Sequence, residues 1–135
     1  MTTIRFAELA DMELLQSRDC HIKKDILEKA ITDKRVFILF SDGDFAGWLR
    51  WNLFWDEIPF MNMLYLLSEY RGLGLGTQLV SFWEHEMAGL GYDKVMTSSQ
   101  ANECAQHFYR KLGYQDAGGF FPFCNVFEII FTKEL

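Results

Sequence analysis

The chain has 135 residues, 50% of them apolar and 16% aromatic, and carries a formal charge of −6. That length holds one ordinary hydrophobic core and one domain, and the composition excludes a disordered chain. The acidic balance argues against nucleic acid as a partner and suits a cationic small molecule such as an amine, although acidity also serves solubility alone.

Thr2 to Phe6 reads as a first strand. Glu8 to Gln16, with Leu9, Met12 and Leu15 apolar, reads as a helix, and Ile22 to Ile31 as a second, with Ile22, Ile26, Leu27, Ala30 and Ile31 on one face. Val36 to Phe40 is rich in strand formers, and Ser41-Asp42-Gly43-Asp44 supplies hairpin-turn chemistry. From Phe45 to Trp55 the pattern has period two, which predicts a long strand with one face in the core. On that alternation Trp51 and Trp55 belong to the core, while Trp48 and Phe54 are candidates for an acceptor pocket. Asp56 to Pro59 breaks the pattern. Phe60 to Leu67 is apolar on both alternating sets, as a central strand covered on both faces reads.

Next comes a turn with glycine at alternate positions, Gly72, Gly74 and Gly76, opening a helical stripe of Leu79, Val80, Trp83, Met87 and Leu90 that Gly89 and Gly91 end. A strand, a glycine turn and a helix start together make an anion site, because amide N–H groups converge at the positive end of a helix dipole. Lys94 to Ser99 is a short strand, and Asn102 to Leu112 a helix with Asn102 as N-cap and Ala105, Phe108, Tyr109 and Leu112 on one stripe. Gly113 ends it. Tyr114 to Phe123 contains a strand and Val126 to Thr132 is the last one, so the expected class is mixed α/β.

Two phosphate templates fail at the glycine turn. A Walker A loop needs a lysine where Thr77 and Gln78 follow Gly76, and the dinucleotide fingerprint needs glycine where Thr77 or Leu79 stands. A third matches. Arg71-Gly72-Leu73-Gly74-Leu75-Gly76 resembles the R-x-x-G-x-G/A motif of the GNAT superfamily of N-acetyltransferases. Asn102-x-x-Ala105-x-x-x-Tyr109-x-Lys111-x-Gly113-Tyr114 is similar to that family's second cofactor-side helix. The motifs cover Leu64 to Gly76 and Asn102 to Tyr114; the order of elements agrees over the whole chain.

The resemblance implies a mostly antiparallel central sheet with helices on both faces, splayed between its fourth and fifth strands, and acetyl-CoA as acetyl donor. Its pyrophosphate would lie on the amides of Arg71, Gly72, Leu73, Gly74, Leu75, Gly76 and Thr77. Pantetheine would lie along the backbone of Leu66, Leu67 and Ser68, where many members have proline in place of Ser68. The N–H near Leu66 would face the thioester oxygen, a donor of the kind typically worth ~3–4 kcal/mol in the transition state. Tyr109 would be the general acid for the departing thiolate, and Asn102 would also bond the pantetheine arm.

The residues leave alternatives beside these roles. Tyr109 shares a stripe with Ala105 and Leu112 and also suits the core. Arg110 and Lys111 suit the adenosine 3′-phosphate or plain solvation. No motif marks the base for the acceptor amine: Asp56, Glu57, Glu69 and a water chain all qualify. His85 and His107 read as helix-surface residues. Cys20, Cys104 and Cys124 are an odd, widely spaced set, so reduced thiols are expected. Cys104 and His107 have metal-ligand spacing, but no paired motif supports it and no metal is expected.

The start of the chain has no basic-then-apolar leader pattern, and no apolar run approaches the ~20 residues of a membrane span, so a cytoplasmic protein with no membrane partner is expected. The expected activity is acetyl transfer to a primary amine of a small molecule or peptide. A non-catalytic acetyl-CoA-binding module is the alternative. Dimerisation is common in the family, and the aromatic stretch Phe120 to Phe131 is compatible with a homodimer.

Overall fold

The computed structural model describes residues 1–135. Its strands are β1 (Thr2–Phe6), β2 (Val36–Ser41), β3 (Asp44–Phe54), β4 (Ile58–Leu66), β5 (Lys94–Gln100), β6 (Gln115–Phe123) and β7 (Val126–Glu134). The helices are α1 (Met12–Arg18), α2 (Lys24–Thr32), α3 (Leu75–Gly89) and α4 (Ala105–Lys111). One sheet runs in the order β1-β2-β3-β4-β5-β7-β6. Pairing is antiparallel for β1–β2, β2–β3, β5–β7 and β6–β7, and parallel for β4–β5. This is the mixed, mostly antiparallel α/β arrangement that the sequence predicts. No helix is long and apolar enough to cross a membrane.

The residues group into two compact units, Met1–Asn52 with Met63–Val80, and Leu53–Asn62 with Ser81–Leu135. In the first, β2 and β3 join through Asp42 and Gly43, whose φ values of +50° and +86° make the left-handed pair a tight hairpin needs. Leu15 of α1 with Leu27 and Ile31 of α2 pack on Val36, Ile38 and Trp48. The first predicted helix is divided: Leu9–Asp11 is a 3-10 turn closed by a reciprocal Glu8–Asp11 capping box, and α1 follows it. Residues 46–51 of β3 are all buried, so this strand is covered on both faces rather than one. That makes Trp48, 2% exposed, a core residue and not a pocket wall.

In the second unit, Leu53 to Phe54 and Ile58 to Asn62 form the β3–β4 hairpin. Its turn holds Trp55 and Asp56 at φ +54° and +60°. Trp55 is 77% exposed, against its expected core position, because the strand ends one residue earlier and the turn throws its ring outward. Only Phe60↔Met96 and Met61↔Thr97 pair β4 with β5, which is the splay that the resemblance implied. Pro59 and Met61 are buried in β4, but Asn62 and Tyr65 beyond the pairing are exposed, so β4 is not covered along its whole length. On α3, Leu79, Val80, Trp83 and Met87 are all at most 1% exposed, as predicted, whereas Leu90 lies past the helix and is 66% exposed.

Candidate active site

The glycine turn follows β4 through a 3-10 turn, Ser68–Tyr70, and an extended Arg71. Gly72 and Gly74 sit at φ +74° and +80°. A β-carbon at either would meet nothing within 4 Å, so what glycine supplies here is the left-handed backbone, and the outer side of the turn stays open. The Gln78 amide donates to the Gly74 carbonyl at 3.1 Å, the first bond of α3. The amides of Leu75, Gly76 and Thr77 therefore have no acceptor within the helix and face outward at its positive end. Arg71 is fixed beside them: its Nε donates to the Leu66 carbonyl at 2.9 Å, and its guanidinium lies 5.0 Å from the centre of the Tyr65 ring. Leu73 is 64% exposed.

At the end of β4 the backbone groups divide. The Leu67 amide donates to Ala46 of β3 at 2.9 Å, and its carbonyl accepts the Tyr70 amide at 2.9 Å. The Leu67 amide is thus engaged within the fold. By the alternation of an extended strand, Leu66 turns its N–H away from β3. Gly47 explains how closely the strands meet there: a β-carbon on it would strike the Tyr65 carbonyl and lie 2.6 Å from Leu66 Cδ2. The Ser68 hydroxyl reaches Glu69 at 3.3 Å.

In the second unit, α4 seats Tyr109 at 6% exposure, its ring 5.9 Å from Phe131 and 5.8 Å from Tyr114 between centroids. Burial pushes its hydroxyl up to about 12, against a hydrogen bond with Thr97 that lowers it; the charges of Glu103 and Glu128 add to the rise. Thr97 Oγ1 in turn donates to the Met61 carbonyl at 3.0 Å. Thr97 thus stands beside Tyr109 and is bonded to the last paired residue of β4. Nothing in the sequence flags Thr97; strand register alone brings it there.

Other expected positions resolve differently. Asn102 is exposed in the turn before α4, and Cys104 takes the N-cap position without a side-chain bond, so the predicted N-cap is displaced by two residues. Arg110 makes a two-pronged ion pair with Asp116 at 2.8 and 2.9 Å and also meets Gln106, which occupies it within the fold. Lys111 is exposed. Phe54 lies against Trp55 and Phe60, with ring centres 4.8 and 6.2 Å away. Asp56 and Glu57 stand exposed at the β3–β4 turn and Glu69 in the 3-10 turn before the glycines. All three cysteines are free and exposed. His85 Nδ1 meets the Ser81 carbonyl at 2.9 Å on the α3 surface.

Sequence reasoning missed two clusters, one half-buried and one buried. Tyr114 donates to Glu84 at 2.8 Å and Lys133 to the same carboxylate at 3.0 Å; burial first, then the Glu84 charge, raises the Tyr114 hydroxyl. Asp19 receives Arg50 and the indole N–H of Trp48. Both join residues at least 29 positions apart, and no local pattern announces them.

Residues 6–114 match the acetyltransferase (GNAT) family. Among solved structures, the PaiA N-acetyltransferase of Thermoplasma acidophilum, determined with coenzyme A, shares 16% identity at a TM-score of 0.83, covering 100% of this chain and 99% of that one. The ribosomal-protein-S18-alanine N-acetyltransferase of Escherichia coli shares 20% at 0.78, covering 99% and 94%. Arabidopsis thaliana Naa50, in complex with the bisubstrate analogue CoA-Ac-MVNAL, shares 15% at 0.81, covering 99% of each chain. No curated protein matches by sequence.

Proposed function

The chain belongs to the acetyltransferase (GNAT) family, and on that premise we propose that it transfers the acetyl group of acetyl-CoA directly to a primary amine of a small molecule or peptide. The observation that carries the reading is the row of outward amides at Leu75, Gly76 and Thr77, beside the fixed Arg71 and behind two left-handed glycines. Three unbonded donors at a helix start suit a pyrophosphate. The same turn has open space beside Gly72 and Gly74.

When bound, acetyl-CoA supplies an activated thioester. The protein's own groups do the rest. Amides 75–77 and Arg71 hold the diphosphate, and the strand edge at Leu66 holds the pantetheine arm, with its N–H toward the thioester oxygen. The amine forms its C–N bond as the C–S bond breaks, the nitrogen gives its surplus proton to water, and the sulfur leaves as a thiolate that accepts a hydrogen bond. Tyr109 is the donor to that sulfur. Its proton stays bound up to about pH 12, whereas an ordinary thiol ionises near ~8.5. Complete transfer from Tyr109 therefore runs uphill, and its contribution is a hydrogen bond that steadies the leaving group. Asn102, on the exposed turn ahead of α4, is assigned to the pantetheine arm.

Calorimetric titration with acetyl-CoA, followed by free-thiol release across an amine panel, tests the reading. Binding in the micromolar range with thiol release is expected. Binding without release to any amine would leave only a cofactor-binding module, and no binding would remove the cradle.

A further inference from the structure

In the second unit the sheet has two unlike faces. Thr97, Phe131 and Asp116 share one by register, and α3 and α4 lie on it through Tyr109 against Phe131 and Glu84 against Lys133. Directly opposed residues point to the same side. Gln100, Glu128 and Phe120, opposed across β5, β7 and β6, therefore form a row on the other face. Ser98 and Ile130 form the next row, and Met96 and Thr132 the one after.

That face carries no helix of this unit. Gln100 and Glu128 are half-exposed, and Phe120 is 53% exposed. Its other charges, Lys94 and Glu134, lie at the far end and pair with each other at 3.6 Å. Glu128 makes no such pair. A carboxylate with an amide on one side and an open aromatic ring on the other is a receptor for an ammonium group, through an ion pair, a hydrogen bond and a cation–π contact.

We infer that Glu128 is the anionic anchor of the acceptor site, and that the preferred acceptor is a small amine bearing a second positive charge, the diamine and polyamine class. This rests on the acetyl-transfer reading above. The attacking nitrogen must be neutral, while a carboxylate favours the protonated form. Glu128 therefore suits the distal ammonium and leaves the other nitrogen free to react. Its field reaches the Tyr109 hydroxyl, whose proton it helps to hold. The chain's charge of −6 attracts the same ligands over a distance. An extended peptide is less well served at this edge. β6 carries irregularities between Asp116 and Gly118 and between Phe120 and Phe123, and Pro122 lacks an N–H, so the ladder that strand addition needs is interrupted.

The test compares 1,4-diaminobutane with n-butylamine, amines of equal chain length and unequal charge. Wild-type kcat/KM is expected to favour the diamine by about tenfold, the size of one charge-assisted contact. In Glu128→Gln the preference should vanish through the amine KM, with the acetyl-CoA KM unchanged; Phe120→Leu should lose part of it. Equal rates in the wild type, a preference kept in Glu128→Gln, or transfer only to peptide N-termini overturns the anchor and leaves acetyl transfer standing. If acetyl-CoA binds and neither amine reacts, titration of the diamine into the CoA complex decides. Binding abolished by Glu128→Gln keeps the anchor and faults the transfer reading, and absence of binding to the wild type overturns the anchor.

Discussion

Arg50 of β3 donates through Nε to Asp19 Oδ2 at 2.7 Å, in a pair whose side chains are 9% and 0% exposed. Trp48 Nε1 donates to the same oxygen at 3.2 Å, and Asp19 Oδ1 takes the His21 amide at 3.2 Å. One carboxylate thus ties the loop after α1 to the middle of β3.

Removing that carboxylate's charge leaves a guanidinium buried without its partner. Asp19→Asn should lower stability by about 3–5 kcal/mol in urea titration. Burial pushes the Asp19 carboxyl up, but Arg50, the His21 amide and Trp48 together more than offset this and hold it below its ordinary 3.8. Its contribution is accordingly present above that value and lost as pH falls below it. Acid titration should show a loss below pH ~4 that is missing in the variant. An unchanged urea midpoint in Asp19→Asn would reject the assignment.

Tyr109→Phe should slow acetyl transfer by about 10²-fold, as for one lost donor to a developing charge, with acetyl-CoA affinity retained. A second readout is alkaline stability. The folded hydroxyl titrates at about 12 rather than the ordinary 10.0. Stability is then full below pH 10 and falls as the unfolded chain alone gives up the proton, by about 2–3 kcal/mol up to pH 12. Melting curves between pH 9 and pH ~11.5 should be flatter for Tyr109→Phe. Wild-type turnover in this variant removes Tyr109 from the reaction.

Gly74→Asp sets a carboxylate beside the Leu75–Thr77 amides and forces a side chain into φ +80°. Acetyl-CoA affinity should drop by more than ~10²-fold in calorimetry, with a stability loss of about 1 kcal/mol. Undiminished affinity would mean that the turn does not hold the diphosphate.

Gly47→Val tests the strand contact behind Leu66. The added carbons meet the Tyr65 carbonyl and the Leu66 side chain, which are backbone and core and cannot both yield. β4 must shift at Leu66, the residue whose amide is proposed to face the thioester oxygen. Turnover should fall together with stability, by about 1–3 kcal/mol in the latter. A variant that melts like the wild type and turns over normally rejects the placement of Leu66.

What the sequence determined by itself is local. The glycine turn, the Leu79–Val80–Trp83–Met87 stripe and the hairpin at Asp42-Gly43 all follow from backbone freedom and helical period, which act within a few residues. Two short motifs added the family. Burial and register lay outside that reach. Trp48 entered the core and Trp55 left it because helices cover β3 on a face that period two cannot see and because the turn began one residue early. Leu67 lost its free amide to Ala46, Tyr109 acquired Thr97, and Gln100, Glu128 and Phe120 came into one row only when the strands paired. Such contacts depend on how strands far apart in the chain align, and that alignment is set by the whole packed sheet rather than by any stretch of residues within it.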